Sequence, residues 1–138
     1  KENKRLIGLR DKMIKDLTEK IPKTFLNGHP TKRLPNNVNV TILDIEGEAI
    51  MLYMNQYGIC ASSGSACTSK TLDASHVITA IGLPYEAAHG SIRFSLGKQT
   101  TEKDIAEVIK VLPDIVKHLR SISPVNLDLK EVLDQVKK

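Results

Sequence analysis

The 138-residue sequence has few aromatic side chains and no long apolar run. It contains no tryptophan, and only 4% of its residues are aromatic. Proteins that bind single-stranded nucleic acid stack the bases on aromatic side chains, so such a surface is not expected here. No apolar stretch approaches the roughly 20 residues that a helix needs to cross a bilayer, and no signal peptide is evident. We therefore expect no nucleic-acid partner and no membrane association.

Basic residues are also not concentrated in one region. The formal net charge is +4, and 20 lysines and arginines are interspersed with 16 acidic residues. A face that binds DNA or RNA needs an uninterrupted basic patch, which this distribution does not provide.

Cysteine is scarce, since only Cys60 and Cys67 occur. A disulfide between them would close a short loop and stays an alternative. Two cysteines without secretory features are more often free thiols in a reducing compartment, so a cytoplasmic location is expected. Without a second cysteine pair they form no recognisable zinc site, and we expect no metal.

Length and a hydrophobic fraction of 41% fit one globular domain. Apolar residues at three- and four-residue steps predict helices, whereas short alternating or apolar runs predict strands. The predicted helices cover residues 4–21, 48–56, 73–81, 101–119 and a segment beyond Pro124, and the predicted strands cover 24–26, 38–42, 59–61 and 91–96. This order predicts an α+β fold, with a small, mainly antiparallel sheet covered by helices.

Local features refine the helix boundaries. Asp73 is a suitable N-cap residue for the short helix that follows it. Thr101 and Asp104 have the spacing of a capping box, and Pro113 is expected to kink the long helix. The chain begins at Lys1, not at methionine, and enters a helical pattern at once, so we expect it to be part of a longer protein.

Small and hydroxylated residues surround Cys67 in the stretch Ser62–Ser69, which predicts a loop. Its thiol is either a simple exposed thiol or a nucleophile, and the lack of apolar neighbours favours the nucleophile. A thiol with a pKa near ~8.5 is little ionised at neutral pH, so a nucleophile needs a partner. His76 and His89 are the candidates. Cys60 lies in the predicted short apolar strand and is expected to be buried in the core.

Arg93 lies on the polar face of the alternating run 91–96, between Ser91 and Ser95. Such an arginine is either a solvated charge or a group that binds a carboxylate through two parallel hydrogen bonds. The other histidines, His29 and His118, are expected at the surface.

Four stretches occur in a fixed order through most of the chain. They are Leu34-Pro35-Asn36-Asn37-Val38-Asn39-Val40, Glu46-Gly47-Glu48-Ala49, Ser62–Ser69, and His89–Gly97 followed by Thr100-Thr101-Glu102. This set resembles the cysteine desulfurases of the NifS and IscS type, and the resemblance weakens beyond Pro124. It covers only the C-terminal small domain of those fold-type I enzymes. Residues 1–138 are therefore expected to be that domain, without the large domain.

The resemblance implies a sulfurtransferase of aminotransferase class V, which uses pyridoxal phosphate to convert L-cysteine to L-alanine. Cys67 matches the family's nucleophile, which holds the sulfur as a persulfide, and Arg93 matches the arginine that binds the substrate carboxylate. In the family the large domain binds the cofactor, so no cofactor-binding residue is expected in this chain. The chain alone is expected to be inactive.

The resemblance also implies partners for the full-length protein, which would be a homodimer that passes sulfur to an iron–sulfur scaffold or another acceptor protein. Two alternatives remain open. The absence of an evident cofactor lysine would suit a non-catalytic sulfur carrier or interaction module, and the shared chemistry would suit a selenocysteine lyase.

Overall fold

The computed structural model describes residues 1–63 and 74–136. Within these ranges the helices are α1 (Glu2–Lys20), α2 (Gly47–Asn55), α3 (His76–Ala80), α4 (Tyr85–Ala88), α5 (Glu102–Ile122) and α6 (Leu129–Val136), and the strands are β1 (Thr24–Leu26), β2 (Asn37–Ile42), β3 (Ser62–Ser63) and β4 (Ser91–Ser95). The strands form one sheet in the order β1-β2-β4-β3, and every pairing is antiparallel. The predicted α+β fold with a small antiparallel sheet is confirmed.

One face of the sheet forms the floor of the main core. In the pairing of β2 with β4, Val38 lies opposite Phe94 and Val40 lies opposite Ile92, and all four side chains are buried. Helices α1, α2 and α5 cover this face with the apolar side chains that their periodicity predicts. The central residues of these helices include Met13, Leu17, Ile50, Met54, Leu112 and Ile115. Burying each such side chain contributes roughly 1.5–3 kcal/mol.

The opposite face of the sheet is polar. It carries Asn39 and Thr41 of β2 and Arg93 of β4, because side chains alternate along each strand. Helices α3, α4 and α6 cover this face beside β1, where Phe25 packs against two small apolar clusters. Arg93 remains exposed. The fold therefore gives the sheet one fully covered face and one partly open, polar face.

The start of α5 has the predicted cap. The backbone N–H of Thr101 donates to Asp104 Oδ2 at 2.7 Å, and the backbone N–H of Asp104 donates to Thr101 Oγ1 at 3.3 Å. The helix then continues through Pro113 to Ile122. The predicted cap Asp73 lies outside the described residues, and α3 begins at His76 with Ser75 as its N-cap residue.

Two residues with left-handed backbone conformation anchor the segment before α6. Lys23 has a φ of 55° and Asp44 a φ of 74°, a region that non-glycine residues seldom adopt. Lys23 Nζ donates to Asp44 Oδ2 at 2.8 Å and to the carbonyl oxygen of Leu127 at 2.9 Å. The N–H of Leu127 donates in turn to Asp44 Oδ1 at 2.6 Å. This network fixes the chain where it turns back towards the sheet.

The predicted buried strand over residues 59–61 is wrong. Those residues lie outside any strand, and Cys60 is an exposed free thiol. The N–H of Ile59 donates to the carbonyl oxygen of Met54, across Gly58 with a φ of +70°. The segment is therefore still completing the end of α2, and pairing with β4 begins only at Ser62.

No helix in residues 1–63 or 74–136 combines the length and the apolar character that crossing a bilayer requires.

Candidate active site

Arg93 occupies the middle of the polar sheet face. The register places it beside Asn39 of β2 on one flank and Ser62 of β3 on the other. Its side chain is exposed, and within the described part of the chain it has no hydrogen-bond or ion-pair partner. An unpaired guanidinium keeps all five of its N–H donors available for a ligand.

Arg93 lines a cleft of about 360 Å³ between the sheet, the β1–β2 loop and α3. The loop contributes His29, Lys32 and Arg33 to this cleft, so that four basic side chains line it. Of the residues that the structure describes, none lining the cleft is an aspartate or a glutamate. The cleft therefore favours anionic ligands.

Two arginines hold the β1–β2 loop in place. Arg33 donates to the carbonyl oxygens of Asn27 at 3.1 Å and Asn37 at 3.2 Å. The nearly buried Arg10 of α1 donates to the carbonyl oxygen of Leu34 at 3.1 Å. Burial, followed by the nearby Arg10 cation, lowers the pKa of Arg33 below its ordinary value. These contacts hold the Arg33 guanidinium in the cleft wall, and no carboxylate of the described residues bonds to it.

Cys67 lies outside the described residues, but the residues that flank its segment are described. On one side Ser62 pairs directly with Arg93, and on the other side Val77 and Ile81 of the α3 region line the same cleft. Cys67 is five positions beyond Ser62 in sequence, which limits the distance between their Cα atoms to about 18 Å. Before the Cys67 segment the chain thus pairs with a residue of the cleft, and after it α3 contributes to the cleft lining.

The two histidines proposed as partners of Cys67 have different surroundings. His76 is exposed at the first residue of α3. The half-buried His89 has its Nδ1 atom 3.6 Å from Glu46 Oε2, and its ring makes an edge contact with Tyr85 at a centroid distance of 4.7 Å. Their distances to Cys67 involve a residue outside the described ranges, so the pairing stays a prediction.

The other two histidines lie at the surface, as predicted. The Nδ1 atom of His29 accepts the backbone N–H of Lys32 at 2.9 Å, which shapes the loop beside the cleft. His118 lies 3.1 Å from the hydroxyl of Tyr53, on the opposite side of the core. Among the described residues, no cluster of histidine, cysteine, aspartate and glutamate is suited to hold a metal ion.

Comparison with known proteins agrees with the geometry. Residues 3–108 match the family model described as aminotransferase class-V. Cysteine desulfurase 2 of Trichormus variabilis is 56% identical over 128 residues, which are 93% of this chain and 32% of that protein. Cysteine desulfurase IscS of Methanosarcina thermophila is 56% identical over 122 residues, 88% of this chain and 30% of that protein.

A solved structure shows the same fold. The NifS-like protein from Rickettsia africae superposes with a TM-score of 0.71 at 30% sequence identity, over 83% of this chain and 29% of that one. The chain spans about a third of the length of the relatives it matches.

Proposed function

The chain belongs to the aminotransferase class-V family, and we propose that it is one domain of a pyridoxal-phosphate-dependent cysteine desulfurase. The proposed reaction converts L-cysteine to L-alanine and holds the sulfur as a persulfide on Cys67. Residues 1–138 would form the C-terminal small domain, and the rest of the protein would bind the cofactor. Relatives named cysteine desulfurase, at 50–57% identity, support this assignment.

The observation that carries the proposal is the unpaired guanidinium of Arg93, which lies beside Ser62 in the sheet and in a cleft that α3 also lines. A guanidinium binds a carboxylate through two parallel N–H···O bonds, which fixes both the position and the plane of the ligand. An amino acid held in this way would present its side-chain sulfur at a defined distance from Arg93. A nucleophile tethered next to Arg93 could then reach that sulfur.

In the proposed step, the Cys67 thiolate attacks the sulfur of the substrate. A sulfur–sulfur bond forms as the carbon–sulfur bond breaks, and the electron pair left on carbon takes up a proton to give L-alanine. When bound, pyridoxal phosphate supplies the electron sink that makes this bond cleavage possible. A thiol of an acceptor protein would later take the terminal sulfur from Cys67.

The described residues fit the substrate carboxylate and do not fit the cofactor. No phenylalanine or tyrosine among the described residues lines the cleft, and its lysine, Lys32, is exposed in the β1–β2 loop. We assign no residue of this chain to pyridoxal phosphate.

We also propose that the full-length protein is a cytoplasmic homodimer that delivers sulfur to an iron–sulfur scaffold protein. The support for this part is the resemblance of the four sequence motifs to the NifS and IscS enzymes. Cross-linking of the full-length protein to a candidate scaffold, with and without L-cysteine, would test the delivery step.

The decisive experiment compares the two cysteines in the full-length protein loaded with pyridoxal phosphate. Cys67→Ser should abolish both alanine formation from L-cysteine and the persulfide detected by mass spectrometry. Cys60→Ser is the matched control and should leave both close to the wild-type level, because Cys60 is exposed and lies outside the Arg93 cleft. Full activity of Cys67→Ser would overturn the assignment of the nucleophile.

The same assay separates the alternatives. A sulfur carrier would form no alanine but would accept a persulfide from a donor enzyme. A selenocysteine lyase would turn over selenocysteine much faster than cysteine.

A further inference from the structure

The geometry points to a second group, besides the Arg93 guanidinium, that can donate a hydrogen bond to a carboxylate in the cleft. We propose that Asn39 binds the same substrate carboxylate through its side-chain N–H, and that Asn27 positions it to do so. The identity of the ligand rests on the proposed function, whereas the arrangement of the donors is a property of the sheet.

Asn39 lies directly opposite Arg93 in the pairing of β2 with β4. Side chains of directly opposed residues leave the same face of a sheet, with Cβ atoms about 4.5–5.5 Å apart. Both residues line the same cleft. A carboxylate bound to Arg93 would therefore lie within reach of the Asn39 amide.

A buried network fixes the orientation of this amide. Asn27 is only 4% exposed, and its Nδ2 atom donates to Asn39 Oδ1 at 2.8 Å and to Thr41 Oγ1 at 2.9 Å. The hydroxyl of Thr41 donates back to Asn27 Oδ1 at 3.0 Å. Because Oδ1 of Asn39 accepts from Asn27, the Nδ2 atom of Asn39 is directed away from this network.

The Nδ2 atom of Asn39 has no partner among the described residues. Among the described residues, Ser91 Oγ is the only side-chain polar atom that is both shielded from solvent and without a partner. The Asn39 Nδ2 atom is therefore accessible to solvent. An accessible amide donor thus lies beside an unpaired guanidinium, in a cleft wall without described carboxylates. Hydrogen bonds to a charged acceptor are stronger than those between neutral groups, so this donor suits a carboxylate oxygen.

The test measures ligand binding to the full-length, cofactor-loaded protein by its absorbance spectrum. L-alanine carries the carboxylate, and ethylamine is the same molecule without it. Asn39→Ala should weaken L-alanine binding roughly 10-fold, the value of one hydrogen bond to a charged group, and should leave ethylamine binding unchanged. It should also raise KM for L-cysteine more than it lowers kcat. Asn55→Ala, an exposed asparagine at the end of α2, is the matched control and should change neither ligand.

Asn39→Asp is the second variant, and it keeps an oxygen that accepts from Asn27. Its carboxylate should pair with Arg93 and weaken L-alanine binding more strongly than Asn39→Ala does. An unchanged L-alanine affinity in both variants would overturn the proposal. So would an equal loss for L-alanine and ethylamine, because a merely structural role affects both ligands alike.

A failure of the role proposed for Asn39 can be distinguished from a failure of the proposed function. If the wild-type protein forms no alanine from L-cysteine, the proposed function fails first. If the wild-type protein is active and Asn39→Ala binds L-alanine normally, only the role of Asn39 fails.

Discussion

Among the arginines that the structure describes, Arg93 alone contacts neither a carboxylate nor a carbonyl oxygen of the described chain. Arg5, Arg10, Arg33 and Arg120 each donate to backbone oxygens and so hold loops and helix ends in place. Such a contrast between structural and unpaired arginines is what a ligand-binding role predicts, since a free guanidinium contributes little to folding.

The first prediction concerns the geometry of this guanidinium. Arg93→Lys keeps the positive charge but loses the two parallel N–H donors. In the full-length protein we expect KM for L-cysteine to rise at least 10-fold, corresponding to about 1.4 kcal/mol, with unchanged thermal stability. Steady-state kinetics and a thermal melt would measure these effects. Arg5→Lys, at an exposed site in α1, is the control; an equal loss in both variants would contradict a specific role for Arg93.

At this scale the sequence predicts some residues well and others poorly. The strict alternation over 91–96 was sufficient to place Ile92 and Arg93 on opposite faces, because period-two patterns follow from strand geometry. The apolar neighbours of Cys60 predict a core position, yet its side chain is exposed because Ile59 completes the end of α2. Asn39 was visible only as a polar strand position, since its partners Asn27 and Arg93 depend on strand register.

Among the elements, α5 contributes most of one side of the core, and its first turn depends on the Thr101 cap. The N–H of Thr101 and then its hydroxyl donate to the Asp104 carboxylate, and this lowers the pKa of Asp104 below its ordinary value. A carboxyl group with a lowered pKa stabilises the fold at pH values above its unfolded pKa. That stabilisation disappears as the pH falls through the lowered folded pKa.

The second prediction follows from this cap. Thr101→Ala should lower the free energy of unfolding by about 1 kcal/mol at neutral pH, because the N-cap hydroxyl is lost. The difference between wild type and variant should shrink as the pH falls through the lowered pKa of Asp104 in the folded protein, where its carboxylate becomes protonated. Urea unfolding at a series of pH values would measure it. A difference that stays unchanged across the whole acid range, until the protein unfolds, would show that the Asp104 carboxylate takes no part.

The elements themselves were largely predictable, because long amphipathic helices and alternating strands have strong periodic patterns. The two-residue strand β3 was not, since Ser62 and Ser63 have no strand-like pattern and pair only because β4 passes beside them. The left-handed conformations of Lys23 and Asp44 were also not predictable. They depend on contacts with Leu127, more than 80 residues away in sequence from Asp44.

For the molecule as a whole, the proposed function gives the described cleft one carboxylate to bind and assigns none of its described residues to the cofactor. The chain also matches only about 30% of the length of its relatives. In the proposed function, binding of the cofactor would therefore depend on residues outside residues 1–138.

The third prediction is made at this scale. The isolated 138-residue chain, mixed with pyridoxal phosphate and L-cysteine, should form no L-alanine above the rate of pyridoxal phosphate alone. The full-length protein should form it under the same conditions. Amino-acid analysis would measure both. Turnover by the isolated chain would show that it holds the cofactor itself and would require a revised view of the cleft.

Strand β4 has a consequence for how this protein tolerates changes in chain length. Its five residues direct Ile92 and Phe94 into the apolar interior and Arg93 towards the cleft. Inserting or deleting one codon within this strand would exchange the two directions, forcing a cation into the hydrocarbon interior. Point substitutions at the exposed Arg93 would leave the fold intact, whereas one-residue insertions or deletions in this strand would prevent folding.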